Sequence, residues 1–176
     1  MLVGVTMENS TKDSHAVKLI EYSKSLIPML RKRVPSCEAL RHVPNETIKD
    51  VIDGGLIRST APKRLGGGEI DYHTAMQICA AISNGCGSTG IVVANMMGCT
   101  LTAALWPEEA QRVIWKDSID TIITGTLIFP KGEAKRVNGG YLLSGKWPFG
   151  SGISKYLPNY FKKMLIISFI GCTLQY

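Results

Sequence analysis

Apolar residues recur every three or four positions along the first part of the chain, which is the interval of α-helices. This pattern predicts a first helix over residues 14–33, for which Ser14 is available as the N-cap. Pro35 and Pro44 bracket a predicted connector, because proline interrupts or precedes helices. Asn45 then caps a short predicted helix that ends at a pair of glycines.

Further helices are predicted after a loop with three consecutive glycines at residues 66–68. Asp71 is the expected N-cap of the first of them. The next, residues 88–106, has almost no charge and is apolar around its circumference, which is typical of a helix buried within a bundle. Pro107 begins the last helix, and the acidic residues 108 and 109 suit its positive N-terminal dipole.

After Asp120 the pattern changes to short runs of β-branched and aromatic residues separated by glycine and proline. Residues 122–129, 133–137 and 141–149 are predicted strands, and Asn138-Gly139-Gly140 is a hairpin-turn signal between the last two. Because the helices precede the strands and do not alternate with them, the sequence predicts an α+β fold.

Composition and charge limit the expected partners. The net charge of +6 favours anionic molecules such as phosphates, a dinucleotide or CoA. The basic residues are scattered without interleaved aromatics, so nucleic acid is not an expected partner. The five cysteines lack zinc-binding spacing, so no metal site is predicted, and their odd number without a signal peptide favours a cytoplasmic location. The apolar run 164–170 is shorter than the about 20 residues that span a membrane, so no membrane association is predicted.

One segment matches a nucleotide-binding pattern without its context. Gly85, Gly87 and Gly90 satisfy the dinucleotide fingerprint GxGxxG. That fingerprint requires a preceding strand, whereas residues 72–83 favour a helix. We therefore expect a helix-to-helix turn in which Ser88 caps the following helix.

The segment 139–152, GGYLLSGKWPFGSG, has two interpretations. Trp147 and Phe149 are two positions apart, so their rings share one face of a regular strand, and Ser151 follows them. They form either an aromatic core pair followed by a turn, or a wall on which a flat ring stacks while a hydroxyl reaches the edge of that ring.

Several segments together resemble the acyl-CoA dehydrogenase superfamily. APKRLGGGEIDY is similar to the P-x-x-Y-G-G loop of that family, with Leu65 in place of the usual Tyr. The block WPEEAQ, the pair Pro130 and Gly132, and the ending W-x-F-x-S-G most resemble the flavin-dependent monooxygenases of the superfamily, such as the oxygenase component of 4-hydroxyphenylacetate hydroxylase. The resemblance extends over residues 14–154.

The resemblance implies a modular protein of which this sequence holds the first part. Residues 1–118 correspond to a helical N-terminal domain and residues 119–154 to the beginning of a middle β-barrel, whereas the C-terminal helical bundle is missing. Residues 155–176 depart from the family pattern. We expect this atypical tail to arise from a shifted reading frame, a premature stop or an error in the gene model.

The resemblance also implies the chemistry. The cofactor is a flavin, either FAD or FMN, and the family assembles as homotetramers. In the monooxygenase interpretation a separate flavin reductase supplies reduced flavin, which reacts with O2 to oxygenate an aromatic or related small molecule. One alternative is an acyl-CoA dehydrogenase that oxidises a CH–CH bond with FAD, and another is a truncated helical interaction module without catalysis.

Site residues follow from the same resemblance. Those expected to bind the flavin are Trp147, Phe149, Ser151, Thr126, Pro130 and Gly132. Those expected near the substrate are Ser88 and Cys99. Cys99 stands where several phenol-oxygenating relatives carry a His, so the residue that would form a phenolate stays unassigned.

Overall fold

The computed structural model of the protein describes residues 14–125, 132–138, 140–145 and 151. Within these residues, helices come first and a two-stranded sheet follows. The helices are α1 (Ser14–Ser25), α2 (Ile27–Leu40), α3 (Asn45–Asp53), α4 (Tyr72–Gly85), α5 (Gly87–Ala104) and α6 (Glu108–Ile114), and the strands are β1 (Gly132–Val137) and β2 (Gly140–Gly145). The helical first part of the predicted α+β fold is confirmed. No helix in this described part is both long and apolar enough to cross a membrane.

The N-terminal helices differ from the prediction in two ways. The expected single helix over residues 14–33 is divided into α1 and α2, and Pro28 stands in the first turn of α2, where a missing N–H costs no helical hydrogen bond. Pro35 does not begin a connector but lies inside α2. Pro35 has no N–H group, so the carbonyl of Arg31 has no partner within the helix. Both residues are exposed, so water can bind this carbonyl.

The main apolar core lies between the first five helices. The α4–α5 pair makes the most extensive helix contact, and α1 and α2 both pack on α4. The largest fully buried aliphatic side chains of this core are Leu30, Val51, Leu56, Ile57, Ile78, Ile82, Val93, Met96, Met97 and Ile122. Helix α4 therefore lies at the centre of this core, in contact with α1, α2 and α5.

The junction of α4 and α5 explains the glycine pattern GCGSTG. A Cβ atom at Gly90 would lie 2.8 Å from Ser83 Cα, and one at Gly85 would lie 2.7 Å from Leu30 Cβ. These glycines allow close helix packing, and a helix precedes them, as the helix-to-helix interpretation predicts. The predicted Ser88 cap is wrong, because α5 begins at Gly87 and the N-cap position is occupied by Cys86.

The loop with three consecutive glycines folds back on itself. The N–H groups of Glu69 and Ile70 donate to the carbonyls of Ala61 and Ser59 at 2.9 and 3.0 Å. Gly67 lies so close to the segment that accepts these hydrogen bonds that a Cβ atom at Gly67 would overlap the Ala61 carbonyl. The glycines therefore let the loop pack tightly against residues 58–62, which follow α3.

One flank of α5 is more exposed than predicted. The sequence pattern indicates a helix covered on all sides, but Ile91 is 66% exposed and Leu105, just after the helix, is 80% exposed. A Cβ atom at Gly98 would also meet no other atom within 4 Å. Among the described residues, the elements that cover α5 lie on its other side.

The hairpin is confirmed. Strands β1 and β2 pair in antiparallel register from Gly132 opposite Gly145 to Val137 opposite Gly140, and Asn138 lies in a turn directly after β1. Of the first predicted strand, residues 122–125 belong to neither a helix nor a strand and residues 126–129 lie outside the described residues. Residues 146–149 of the last predicted strand lie outside them as well.

We predict that Gly90→Ala destabilises the fold and that Gly87→Ala does not. The added methyl group at position 90 meets the backbone of Ser83, whereas at position 87 nothing lies within 4 Å. Overpacking of this kind lowers the free energy of unfolding by about 1–3 kcal/mol. Urea denaturation of both variants measures the difference, and equal stability of the two variants would contradict the packing role of Gly90.

A second prediction concerns the N-cap of α4. The Asp71 carboxylate accepts hydrogen bonds from the Thr74 N–H at 2.9 Å and from the Thr74 hydroxyl at 2.7 Å, and these bonds hold the pKa of Asp71 below its ordinary value of 3.8. At neutral pH, Asp71→Ala should lower the free energy of unfolding by about 1 kcal/mol. Because the folded-state pKa is lowered, the charged cap stabilises the protein fully above pH 3.8 and this contribution is lost as the pH falls through the folded-state pKa.

Urea denaturation of the wild type and of Asp71→Ala, at neutral pH and in acid, measures this dependence. Asp71→Asn is the matched control, since its side-chain oxygen can still cap the helix but does not titrate. A difference between the wild type and Asp71→Ala that stays constant into acid would contradict the role of the charged cap.

Candidate functional site

An ion pair fixes the start of the connection between the helices and the sheet. Arg58 Nη1 donates to both carboxylate oxygens of Asp120, at 2.8 and 2.9 Å. Arg58 begins a short 3-10 helix, Arg58–Thr60, which follows α3. Both side chains are about one-third exposed. A salt bridge with this exposure adds little to the free energy of unfolding, so its main effect is to hold Asp120 in position.

Two isoleucines then anchor the connecting segment, residues 121–125, in two different cores. Ile122 is fully buried in the main core of the first five helices. Ile123 is fully buried in a second apolar cluster, which includes Ala103 and Trp115. Because neighbouring side chains are buried in separate clusters, the segment has little freedom to slide or rotate against α5.

Asn95 on α5 binds the end of this segment. Its Nδ2 donates to the Gly125 carbonyl at 3.1 Å, and its Oδ1 lies 3.2 Å from the Thr124 hydroxyl. The orientation of the amide is determined by Gly125, since the opposite orientation would place two carbonyl oxygens against each other. Asn95 therefore holds both Thr124 and Gly125 at defined positions.

The same hydroxyl brings Ser151 to the segment. Thr124 Oγ lies 2.5 Å from the Ser151 carbonyl oxygen, and Thr124 itself is fully buried. The Thr124 hydroxyl therefore lies within hydrogen-bonding distance of both the Ser151 carbonyl and Asn95 Oδ1, and it shares its one proton between these two acceptors. The bond uses the backbone carbonyl of Ser151 and leaves the Ser151 hydroxyl out of it.

Cys99 lies one helical turn after Asn95 and completes the group. Its Sγ is 3.6 Å from Asn95 Oδ1. Burial raises the pKa of Cys99 to about 11, although a hydrogen bond from the Gly125 backbone acts in the opposite direction. Cys99 is consequently a neutral thiol at physiological pH and not a base. Asn95, Cys99, Thr124, Gly125 and Ser151 are called the Asn95 cluster below.

The structure thus brings together two of the predicted site residues, Cys99 and Ser151, through intermediates that the sequence pattern did not identify. Ser88 is exposed and lies two turns before Asn95, about 10 Å along the same face of α5. Gly132 begins β1, where it pairs with Gly145. Trp147, Phe149, Thr126 and Pro130 lie outside the described residues.

Asn95, Thr124 and Gly125 are the members of the cluster that the sequence pattern did not identify. A signal for Asn95 existed, because it is a carboxamide in the middle of a helix of predominantly apolar residues. A half-buried amide is costly unless it is hydrogen-bonded, so such a residue points to a specific partner. Nothing in the local pattern indicated that the partner was residues 124 and 125.

A separate cleft of about 380 Å³ lies between the glycine loop, the end of α5 and α6. Arg64 crosses it to Gln111 at 2.5 Å, and Gln111 in turn donates to the carbonyls of Ala104 and Trp106. None of the predicted site residues lines this cleft. Among the described residues, no group of three His, Cys, Asp or Glu side chains is arranged to hold a metal ion.

Comparison with known proteins identifies the family. Residues 24–118 match the N-terminal domain of acyl-CoA dehydrogenases, and this match covers more than half of the chain. The protein belongs to the acyl-CoA dehydrogenase family and carries its N-terminal helical domain. The resemblance found in the sequence is confirmed.

Its curated relatives include flavin-dependent monooxygenases. The chain is 33% identical over 140 residues to a pigment production hydroxylase of Rhodococcus sp., covering 80% of this chain and 36% of the relative. It is 28% identical over 142 residues to the oxygenase component of p-hydroxyphenylacetate 3-hydroxylase of Acinetobacter baumannii, covering 81% of this chain and 33% of the relative. The chain therefore spans about a third of the length of these relatives.

Solved structures agree. The HsaA monooxygenase of Mycobacterium tuberculosis superposes with a TM-score of 0.71 at 30% identity, over 75% of this chain and 34% of that one. XiaF from Streptomyces sp., in complex with FADH2 and glycerol, superposes with a TM-score of 0.73 at 29% identity, over 78% of this chain and 34% of that one.

We predict that Asn95→Leu lowers the free energy of unfolding by about 1–3 kcal/mol, because it leaves the Gly125 carbonyl unpaired in a buried position. Thr102→Val is the control, since the exposed Thr102 hydroxyl bonds only to a carbonyl of its own helix, Gly98. Its expected effect is about 0.5 kcal/mol or less. Chemical denaturation compares the two variants, and an equal loss in both would show that Asn95 is an ordinary helix residue.

Proposed function

We propose that this chain corresponds to the N-terminal third of the oxygenase component of a two-component flavin-dependent monooxygenase, which acts on an aromatic or related small molecule. The names of the relatives support the reaction class, since they include hydroxylases and oxygenase subunits. The structural observation that supports it best is the Asn95 cluster, which connects a residue proposed for the substrate side, Cys99, to one proposed for the flavin side, Ser151.

The proposed cofactor is reduced FAD in preference to FMN. One relative is an FADH2-dependent resorcinol hydroxylase, and the structural relative XiaF is in complex with FADH2. A reduced flavin supplies the electrons with which oxygen is activated. A separate flavin reductase is the proposed partner that provides it.

The chemistry of the Asn95 cluster fits a flavin at its edge. Thr124 holds the backbone of Ser151, so the Ser151 hydroxyl is presented from a fixed position and can donate to a ring nitrogen. The side chains of Trp147 and Phe149 are proposed to stack on the ring, and Thr126, Pro130 and Gly132 to line its other side.

On the substrate side we propose Cys99 and Ser88. Because the pKa of Cys99 is about 11, this thiol does not remove a phenolic proton at neutral pH. Cys99 would instead supply a small, weakly polar wall. Ser88 lies two turns away on the same face of α5 and can donate or accept a hydrogen bond at the far end of a small molecule.

The proposed organisation of the protein follows the family. We propose that residues 1–118 form the helical domain and that residues 119–154 begin a β-barrel that includes the described hairpin. A C-terminal helical bundle, a homotetrameric assembly and a cytoplasmic location complete the proposal. The tail of residues 155–176 corresponds to none of these proposed parts.

The function is tested by grafting residues 24–151 into the oxygenase component of p-hydroxyphenylacetate 3-hydroxylase in place of the matching segment. The chimaera should bind reduced FAD and, with a flavin reductase and oxygen, add one oxygen atom to p-hydroxyphenylacetate. Ser151→Ala should lower the yield of hydroxylated product per reduced flavin about threefold to tenfold, the effect of one lost hydrogen bond.

Ser144→Ala, at an exposed position of β2, is the matched control and should leave the yield unchanged. Circular dichroism establishes that each chimaera is folded. A folded chimaera that binds no reduced flavin would contradict the proposed function. Equal yields from Ser151→Ala and Ser144→Ala would remove Ser151 from the site.

A further inference from the structure

The cleft between the glycine loop, the end of α5 and α6 is separate from the Asn95 cluster, and nothing in the proposed oxygenation reaction uses it. It is called the Gln111 cleft below. Its volume of about 380 Å³ suits one small molecule, since ligand pockets measure about 300–1,000 Å³. Its apolar wall is formed by Pro62 and Ile70 on the side of the loop and by Leu101, Ala104 and Leu105 on the side of α5.

Gln111 places a fixed hydrogen-bond acceptor in this cleft. Its side chain is buried, and its Nε2 donates to the carbonyls of Ala104 and Trp106 at 2.8 and 2.6 Å. Because these carbonyls use both amide hydrogens, the orientation of the amide is determined and Oε1 is left as an acceptor. Arg64 Nη2 donates to this oxygen at 2.5 Å, so Gln111 holds the Arg64 guanidinium in the cleft.

Arg64 keeps donors for a further partner. A guanidinium has five N–H donors, and the bond to Gln111 uses one of them. None of the ion pairs between described residues includes Arg64, so no carboxylate among them balances its charge. A carboxylate that enters the cleft can therefore accept two parallel hydrogen bonds from this side chain.

Glu69 supplies the opposite charge to the same cleft. Its φ of 48° lies in the left-handed region that favours glycine, and hydrogen bonds hold it there. Its Oε2 accepts from the Lys63 N–H at 2.8 Å, and its own N–H donates to the Ala61 carbonyl at 2.9 Å. Within the described part of the chain Glu69 forms no ion pair, either with Arg64 or with another cation.

The charges that line the cleft determine which ligand it can take. Glu108 also lines it, but its carboxylate is paired with Arg112 at 2.9 Å. One cation, Arg64, and one anion, Glu69, are left over an apolar wall. An anionic ligand would be repelled by Glu69 and a cationic one by Arg64, whereas an uncharged apolar ligand would remove water from both charges without replacing it. A ligand that carries both charges satisfies both side chains.

We propose that the Gln111 cleft binds a free amino acid with an apolar side chain. The ligand carboxylate accepts hydrogen bonds from Arg64, the ligand ammonium donates to Glu69, and the ligand side chain packs on Leu101 and Leu105. Leu105 is 80% exposed, so such a ligand would cover an apolar side chain that the described residues leave in contact with water. This proposal concerns a second binding site and does not depend on the proposed oxygenase activity.

The first test uses the unchanged full chain, labelled with ¹⁵N and titrated with L-leucine in an NMR experiment. The expected shifts are saturable and centre on the Gln111 side-chain amide and the backbone N–H groups of Arg64 and Glu69. Three matched ligands each lack one recognised group: leucinamide the carboxylate, 4-methylpentanoate the ammonium, and glycine the apolar side chain. Each should bind about tenfold more weakly than leucine or worse, the usual effect of losing one charged hydrogen bond or a buried apolar group.

A second test changes the two charged side chains. Arg64→Gln and Glu69→Gln remove the charge but keep a side chain that can form hydrogen bonds, and each should weaken leucine binding about tenfold. Lys63→Gln and Glu109→Gln are the matched controls, since both residues are exposed neighbours that do not line the cleft, and they should leave binding unchanged. Circular dichroism establishes that each variant is folded.

The ligand series needs no variant, so it decides the proposal even if a substitution prevents folding. Absence of saturable leucine binding to the unchanged chain would overturn the proposal. Equal affinities for leucine and either leucinamide or 4-methylpentanoate would do so as well, because the cleft would then not recognise both charges. An equal loss of binding in Arg64→Gln and Lys63→Gln would show that leucine responds only to the overall charge of the loop.

Discussion

The pairing of the Asn95 amide with residues 124 and 125 is the constraint on which the arrangement of helices and sheet depends. Through this carboxamide a helix of the bundle binds the segment that follows the helices, at Thr124 and Gly125. A helix can offer this contact only through a side chain, because its own backbone groups are already paired. A single polar residue in a largely apolar helix therefore fixes the end of the described connecting segment, residues 124 and 125.

Two apolar clusters make that polar contact possible. Ile122 enters one and Ile123 the other, so the connecting segment is held on both sides before the amide is satisfied. Burial of apolar area supplies the stability, and the hydrogen bonds to Asn95 select one register of the segment among several that would bury similar area. The neutral thiol of Cys99 takes part in both, because it is buried in the second apolar cluster and also contacts Asn95 Oδ1.

Local patterns predicted what local forces determine. The Asp71 cap, the helices with strong periodicity and the turn at Asn138 were found because each depends on residues a few positions apart. The division of α1 from α2 and the passage of α2 through Pro35 were missed, because solvent exposure decides whether an interrupted hydrogen bond is tolerated. The contact of Asn95 with Thr124 was missed because no short-range pattern encodes a pairing across 29 positions.

The order of these contacts along the chain has a consequence for biosynthesis. Apart from Ile122, the main core is built from side chains of residues 19–97, which leave the ribosome first. Contacts that are close in sequence form quickly, so the first five helices can pack while the strands are still being made. Ile122 and Ile123 can then pack against a bundle that is already formed, and the Asn95 side chain binds residues 124 and 125 as they are added after it.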